Sequence, residues 1–125
     1  MSSVGWIGVD LDGTLAHYRG WKGADHIGDP IPLMLARVKD WLADGMAVKI
    51  FTARVSHDGT PERIAEATAA RRAIERWCFK HLGVILPITN AKDYEMMALW
   101  DDRCVQVETN TGITIIGSSG RAVGK

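Results

Sequence analysis

Val4-Gly-Trp-Ile-Gly-Val-Asp-Leu-Asp-Gly-Thr-Leu15 is an apolar run that delivers two carboxylates, Asp10 and Asp12, into a glycine turn. Trp6, Ile7 and Val9 crowd aromatic and β-branched residues between turn signals, which predicts a short buried strand in the middle of a sheet. Leu11 separates the two acids and leaves Asp10 and Asp12 on the same side of an extended backbone. Gly13 then allows a sharp departure that a side chain would obstruct. Two acids at the carboxyl end of a strand can hold a hard divalent cation and divide nucleophilic and acid–base duties. The bland alternative is a turn in which Asp and Gly simply stop the strand; the Gly-Thr-Leu that follows favours the functional reading.

The chain has 125 residues, enough for one sheet with helices and too few for a large second lobe. Residues 1–116 are expected to form a single domain and 117–125 a flexible tail, because that segment is small, polar and basic. Acidic and basic residues balance at 15 each, so no overall field recruits nucleic acid or a membrane, and anion binding must come from local clusters. Cys78 and Cys104 lack Cys-x-x-Cys spacing and read as reduced packing residues. No basic leader with a long apolar run is present, and no segment has the length to span a bilayer, so the expected location is the cytoplasm without membrane partners.

Outward from the first strand, residues 16–29 are rich in glycine, aromatics and cations and follow neither a strand nor a helix period. They predict an ordered loop or flap over the strand's end, where His17, Arg19, Trp21, Lys22 and His26 either contact substrate or belong to a solvated loop. Pro30 and Pro32 mark a helix start, and Ile31, Leu35, Val38 and Leu42 form its apolar stripe up to Gly45. Residues 47–51 are a second strand, ending in Thr52-Ala53-Arg54. Strand, helix and strand connected at this length imply parallel pairing with a right-handed crossover. Thr52 is therefore expected beside Asp10 and Asp12, where a hydroxyl and free backbone N–H groups can bind an anion. Arg54 lies on the same edge, and a guanidinium grips phosphate oxygens with two parallel bonds.

Thr60-Pro61-Glu62 opens a second helix expected to run to Leu82 and stop at Gly83. Ile64, Ala67, Ile74, Trp77 and Cys78 face inward, and Arg71, Arg72 and Arg76 mostly outward. Residues 84–90 predict a third strand near a sheet edge, since Pro87 cannot donate to a ladder. Ala91-Lys92-Asp93 opens a short helical turn, and residues 96–100 read as another buried strand running into Asp101-Asp102. A second pair of acids on the same edge points to a metal site. Residues 104–108 and 113–116 read as a final strand and a return strand around the turn Asn110-Thr-Gly112.

The ordered set Asp10-Leu-Asp12-Gly-Thr-Leu, Thr52 after a strand, Lys92, and Asp101-Asp102 after a strand resembles the haloacid dehalogenase superfamily of phosphohydrolases. Phe51-Thr-Ala-Arg54 and Trp100-Asp-Asp-Arg103-Cys-Val-Gln-Val107 are similar to stretches of the phosphatase domain of polynucleotide kinase. The resemblance implies a three-layer Rossmann-like α/β domain, with a central, mostly parallel sheet flanked by helices. It also implies Mg²⁺ as cofactor, held by Asp10, the backbone carbonyl of Asp12 and Asp102, with Asp101 in support. Asp10 becomes the nucleophile and Asp12 the general acid and base; Thr52 and Lys92 hold the phosphoryl oxygens, with Arg54 as a further substrate contact. No cap domain fits between Thr14 and Thr52 or between Thr52 and Lys92, so the cleft is expected to be open to large substrates or to closure by a second copy of the chain. The activity implied is phosphomonoester hydrolysis through an aspartyl-phosphate, on a nucleotide or a nucleic-acid 3′-phosphate end. A phosphate- or nucleic-acid-end-binding module without turnover is the alternative, and a phospho-accepting receiver-like domain a third reading.

Overall fold

The structure is a computed structural model that describes residues 5–115. At its centre is β1 (Trp6–Asp10), hydrogen-bonded to β2 (Ala47–Phe51) on one side and to β4 (Met96–Trp100) on the other; β3 (Ile88–Thr89) lies beyond β2. Every pairing is parallel, with Val9 opposite both Ile50 and Trp100. The result is a Rossmann-like α/β arrangement of four strands and two helices, α1 (Pro32–Ala43) and α2 (Pro61–Leu82).

Both helices begin as their sequences dictate. Proline opens each, where its missing N–H removes no helical bond. The Thr60 hydroxyl oxygen accepts from the Arg63 N–H at 3.3 Å, Glu62 sits in the first turn of α2, and Lys80 and His81 sit in its last. From α1, Met34 and Val38 are buried, with Ile31, Leu35, Trp41 and Leu42 packed around them; α2 contributes Ile74, Trp77 and Cys78.

The positions of the two helices correct the expected three-layer arrangement. Strand order β3-β2-β1 means that the chain steps in the same direction twice, and right-handed crossovers then leave α1 and α2 on one face. The core agrees: Ile7, Val9, Val48 and Ile50, which alternate onto one face, cluster with residues of both helices. Among the described residues no helix covers the opposite face. Trp6, Met96 and Leu99 close over Gly8 there, and an added Cβ at Gly8 would lie 2.9 Å from Met96 Cε. The Trp6 indole N–H donates to Asp93 Oδ1 at 2.8 Å, and Lys49 sits 4.4 Å from the Trp6 ring centre.

Other expectations hold or shift for identifiable reasons. The third strand is confined to Ile88–Thr89 at the sheet edge, because Pro87 offers β2 a carbonyl, to Ile50 N at 2.8 Å, but has no N–H to return. β4 is not buried: it is an edge strand with one helix-free face, so Met97 is 55% exposed, while Trp100 leans on Trp41 with ring centres 5.1 Å apart. Ile64 is exposed rather than inward, because the first turns of α2 overhang a cavity instead of the sheet. Lys92 lies in irregular backbone, not in a helical turn. Residues 104–108 and 113–115 form one antiparallel bridge, Val107 to Thr114, instead of full strands. The expected tail, 117–125, lies outside the described residues. No helix among the described residues is long and apolar enough to cross a membrane.

Candidate functional site

Parallel strands place their carboxyl ends on one edge, and there the chain collects its chemistry. Asp10 ends β1 and Asp12 follows it; Thr52 and Arg54 follow β2; Asp101 and Asp102 follow β4. Asp10, Asp12, Thr52, Arg54 and Asp101 line one cavity of about 590 Å³, inside the ~300–1,000 Å³ range of small-molecule sites.

The acids from β1 and β4 meet. Oxygens of Asp10, Asp101 and Asp102 lie within 4.8 Å of one another. Burial first, then the charges of Asp101 and Asp102, a hydrogen bond to Asp102 and the charge of Asp12, push the Asp10 carboxyl up to about 8. Two unit charges at about 4 Å repel by about 4 kcal/mol at an effective dielectric of 20, so ionising Asp10 beside Asp101 and Asp102 is costly without a counter-charge. An all-oxygen donor set of this size fits a hard divalent cation. The Thr14 hydroxyl lies 3.4 Å from Asp10 Oδ2 and 3.5 Å from Asp102 Oδ1, within reach of donating to either. Gly13 is required twice over: its φ is 89°, and a Cβ would lie 2.5 Å from Asp102 Oδ2. Both Asp101 and Asp102 belong to the cluster, although Asp101 Oδ1 also accepts from Arg103 N at 2.8 Å.

The Asp12 carboxylate stands apart, gripped by Arg54. Arg54 Nε donates to Asp12 Oδ2 at 2.7 Å and Nη2 to Oδ1 at 2.9 Å, a bidentate pair whose side chains are 5% and 20% exposed. Arg54 Nη1 donates to the carbonyls of Gly23 and Ala24, at 3.4 Å each, and the guanidinium carbon lies 4.9 Å from the Trp21 ring centre. Arg54, expected to grip phosphate, therefore joins Asp12 to the flap. The flap does lie over the end of β1: Tyr18 and Trp21 line the cavity.

Thr52 is where the strand order requires it and is buried, but its surroundings differ from expectation. Its N–H donates to Thr89 O at 2.9 Å, and its hydroxyl oxygen accepts from Arg54 N at 3.1 Å. Two backbone donors anticipated for an anion are thus satisfied internally, and the Thr52 hydroxyl keeps its own proton to offer. Lys92 is exposed and is not among the residues lining the cavity. It does act on the same rim: burial, Asp101, Asp10 and Asp102 raise the Cys104 thiol above its ordinary value, and Lys92 opposes them.

Sequence reasoning missed Arg63 and Glu66, which pair with each other on the overhanging first turns of α2 and line the cavity with Arg103. Their spacing marks a helix-surface pair, but nothing local says which way that surface faces. His17, Arg19, Lys22 and His26 line a second hollow rather than the acid cavity.

No protein-family model matches the sequence, and no curated protein matches it. A solved structure, that of a conserved protein coded by a locus from Bacteroides thetaiotaomicron, is similar with a TM-score of 0.51 and 21% identity, over 82% of this chain and 79% of that one. At that identity the likeness shows a shared α/β fold and nothing of activity.

Proposed function

We propose that the chain is a phosphomonoester hydrolase of the haloacid dehalogenase type, and that Asp10 is its nucleophile. The observation that carries this reading is the convergence of Asp10, Asp101 and Asp102 within 4.8 Å on the carboxyl edge of a parallel sheet, on a cavity that also holds Asp12 and Thr52. Such a cluster has little use in a stable fold, because its members repel one another; it fits a site built for a cation and a dianion.

Asp10 is the cavity-lining acid that ends the central strand. Its carboxylate oxygen forms a bond to phosphorus as the ester oxygen departs, and the leaving oxygen takes a proton from Asp12, which in its protonated form keeps one bond from Arg54 and turns its other oxygen, with the proton, to the ester. In the second half, Asp12 takes a proton from water as the water oxygen bonds to phosphorus; the aspartyl–phosphate bond breaks, and phosphate and free Asp10 result. The Thr52 hydroxyl donates to a phosphoryl oxygen, and Arg54 aims Asp12. Mg²⁺, held by Asp10, the Asp12 carbonyl and the Asp101–Asp102 pair, would supply the positive charge that lets the Asp10 carboxylate ionise and approach a dianionic phosphate. Asp12 supports an ester over a carbon–halogen substrate, since only the former needs a proton on its leaving group.

The test is release of inorganic phosphate from an aryl phosphate with Mg²⁺ present. The wild-type chain releases phosphate, EDTA stops it, and Asp10→Asn lowers kcat by about 10³-fold or more, roughly 4 kcal/mol. Full activity in Asp10→Asn excludes this mechanism. Tight phosphate-ester binding with no release in the wild-type chain would favour a binding module instead.

A further inference from the structure

We infer that the second hollow, beside the acid cavity, is a subsite for a second phosphate or other dianionic group on the same substrate molecule; this rests on the phosphomonoesterase reading. The hollow measures about 350 Å³ and is lined by His17, Arg19, Lys22, His26 and Asp29; Tyr18 and Arg54 belong to both hollows. The chain carries no net charge, yet here three cations, Arg19, Lys22 and the Asp12-paired Arg54, and two imidazoles line one cavity with a single acid among its lining side chains. Neither Arg19 nor Lys22 forms an ion pair among the described residues. Unpaired cations around a concavity attract an anion of matching charge and gain most from one that carries two.

The segment that presents them is fixed to the fold. His17 N donates to Asp29 O at 2.8 Å, the Trp77 indole to Gly28 O at 2.9 Å, and Arg54 to the Gly23 and Ala24 carbonyls. The backbone on both sides of Arg19 and Lys22 is therefore held in place relative to the acids, and their exposed side chains extend from it at the rim of the hollow. The two hollows differ in balance: Asp10, Asp12, Glu66 and Asp101 share the first with Arg54, Arg63 and Arg103, whereas in the second Asp29 alone faces Arg19, Lys22 and Arg54. A monophosphate whose reacting group sits at Asp10 leaves the cationic hollow unused. A bisphosphate fills both, with its spacer passing Tyr18.

The experiment compares matched pairs: thymidine 3′,5′-bisphosphate with thymidine 3′-monophosphate, and glucose 1,6-bisphosphate with glucose 6-phosphate. In the wild-type chain, kcat/KM for the bisphosphate of at least one pair exceeds that of its monophosphate by about tenfold or more, mainly through KM; the pair that shows it identifies the spacer. The double variant Arg19→Ala, Lys22→Ala brings that ratio close to one. Asp29→Asn, which removes the acid from the hollow, raises the ratio, an opposite effect that general damage to the flap does not produce. Equal kcat/KM within both pairs, or a ratio unmoved in the double variant, overturns the subsite. Should no ester be hydrolysed at all, the phosphatase reading fails separately. Calorimetric binding of thymidine 3′,5′-bisphosphate and its monophosphate then decides the subsite: tighter bisphosphate binding that the double variant abolishes supports it, and equal binding overturns it.

Discussion

Arg54 is the residue whose surroundings say most about how the site works. Its guanidinium holds both oxygens of Asp12, reaches two flap carbonyls and lies against Trp21. A lysine keeps the charge but cannot reproduce two parallel bonds in one plane. Arg54→Lys should therefore cost about 2 kcal/mol of stability, the scale of a lost hydrogen bond to a charged partner, read from urea unfolding midpoints. It should also lower kcat more than it raises KM, because Asp12 loses its aim while Thr52 and Asp10 keep theirs; unchanged stability and kcat would show that the pair is incidental. At this scale the sequence was a partial guide. Asp10, Asp12, Asp101 and Asp102 were legible because each acid follows an apolar run, and a strand's end has a known place. The partner of Arg54 was not, since Asp12 lies 42 residues away and a guanidinium suits phosphate and carboxylate equally.

Among the elements, α2 was the most legible in its bounds, though not in which way its first turns face. Cap, proline, first-turn acid and terminal glycine all appear in the sequence and all act as their chemistry requires. Thr60→Ala removes the oxygen that receives Arg63 N. The expected loss is about 1 kcal/mol, measured by chemical denaturation; a loss below a few tenths would mean that solvent replaces the cap. Because Arg63 and Glu66 line the cavity from this turn, the same substitution should raise KM slightly for an aryl phosphate. Strands were harder to read than helices. β3 and β4 are apolar like β1, and a short apolar run does not reveal whether it will be central or at an edge. Pro87 was the exception, since a missing donor restricts position whatever the surroundings.

At the scale of the molecule, the carboxylate cluster links fold stability to pH and metal. Asp10 has its carboxyl raised from 3.8 to about 8 in the folded chain. Below about pH 4 it is protonated folded and unfolded, and its contribution to stability is fully present; as pH rises through about 8 the folded chain must ionise it among other acids, and that contribution is lost. In EDTA, the thermal midpoint should therefore fall between about pH 5 and pH 9. Mg²⁺ at about a hundredfold over its Kd should restore about 2.7 kcal/mol, near 10 °C for a chain of this size, at pH 9 and much less at pH 5. A metal response equal at both pH values, or none, would disconnect the cluster from a cation. The sequence by itself determined the order of the four strands and two helices and the acids that follow β1 and β4, though it also suggested strands after residue 103 that form only a bridge; apolar period, caps and turn residues act over a few neighbours. Only the tertiary structure decided that both helices share one face, that Arg54 binds Asp12, and that the flap's cations gather in a hollow of their own. Those outcomes depend on which distant segments meet, and local side-chain preferences carry no information about that.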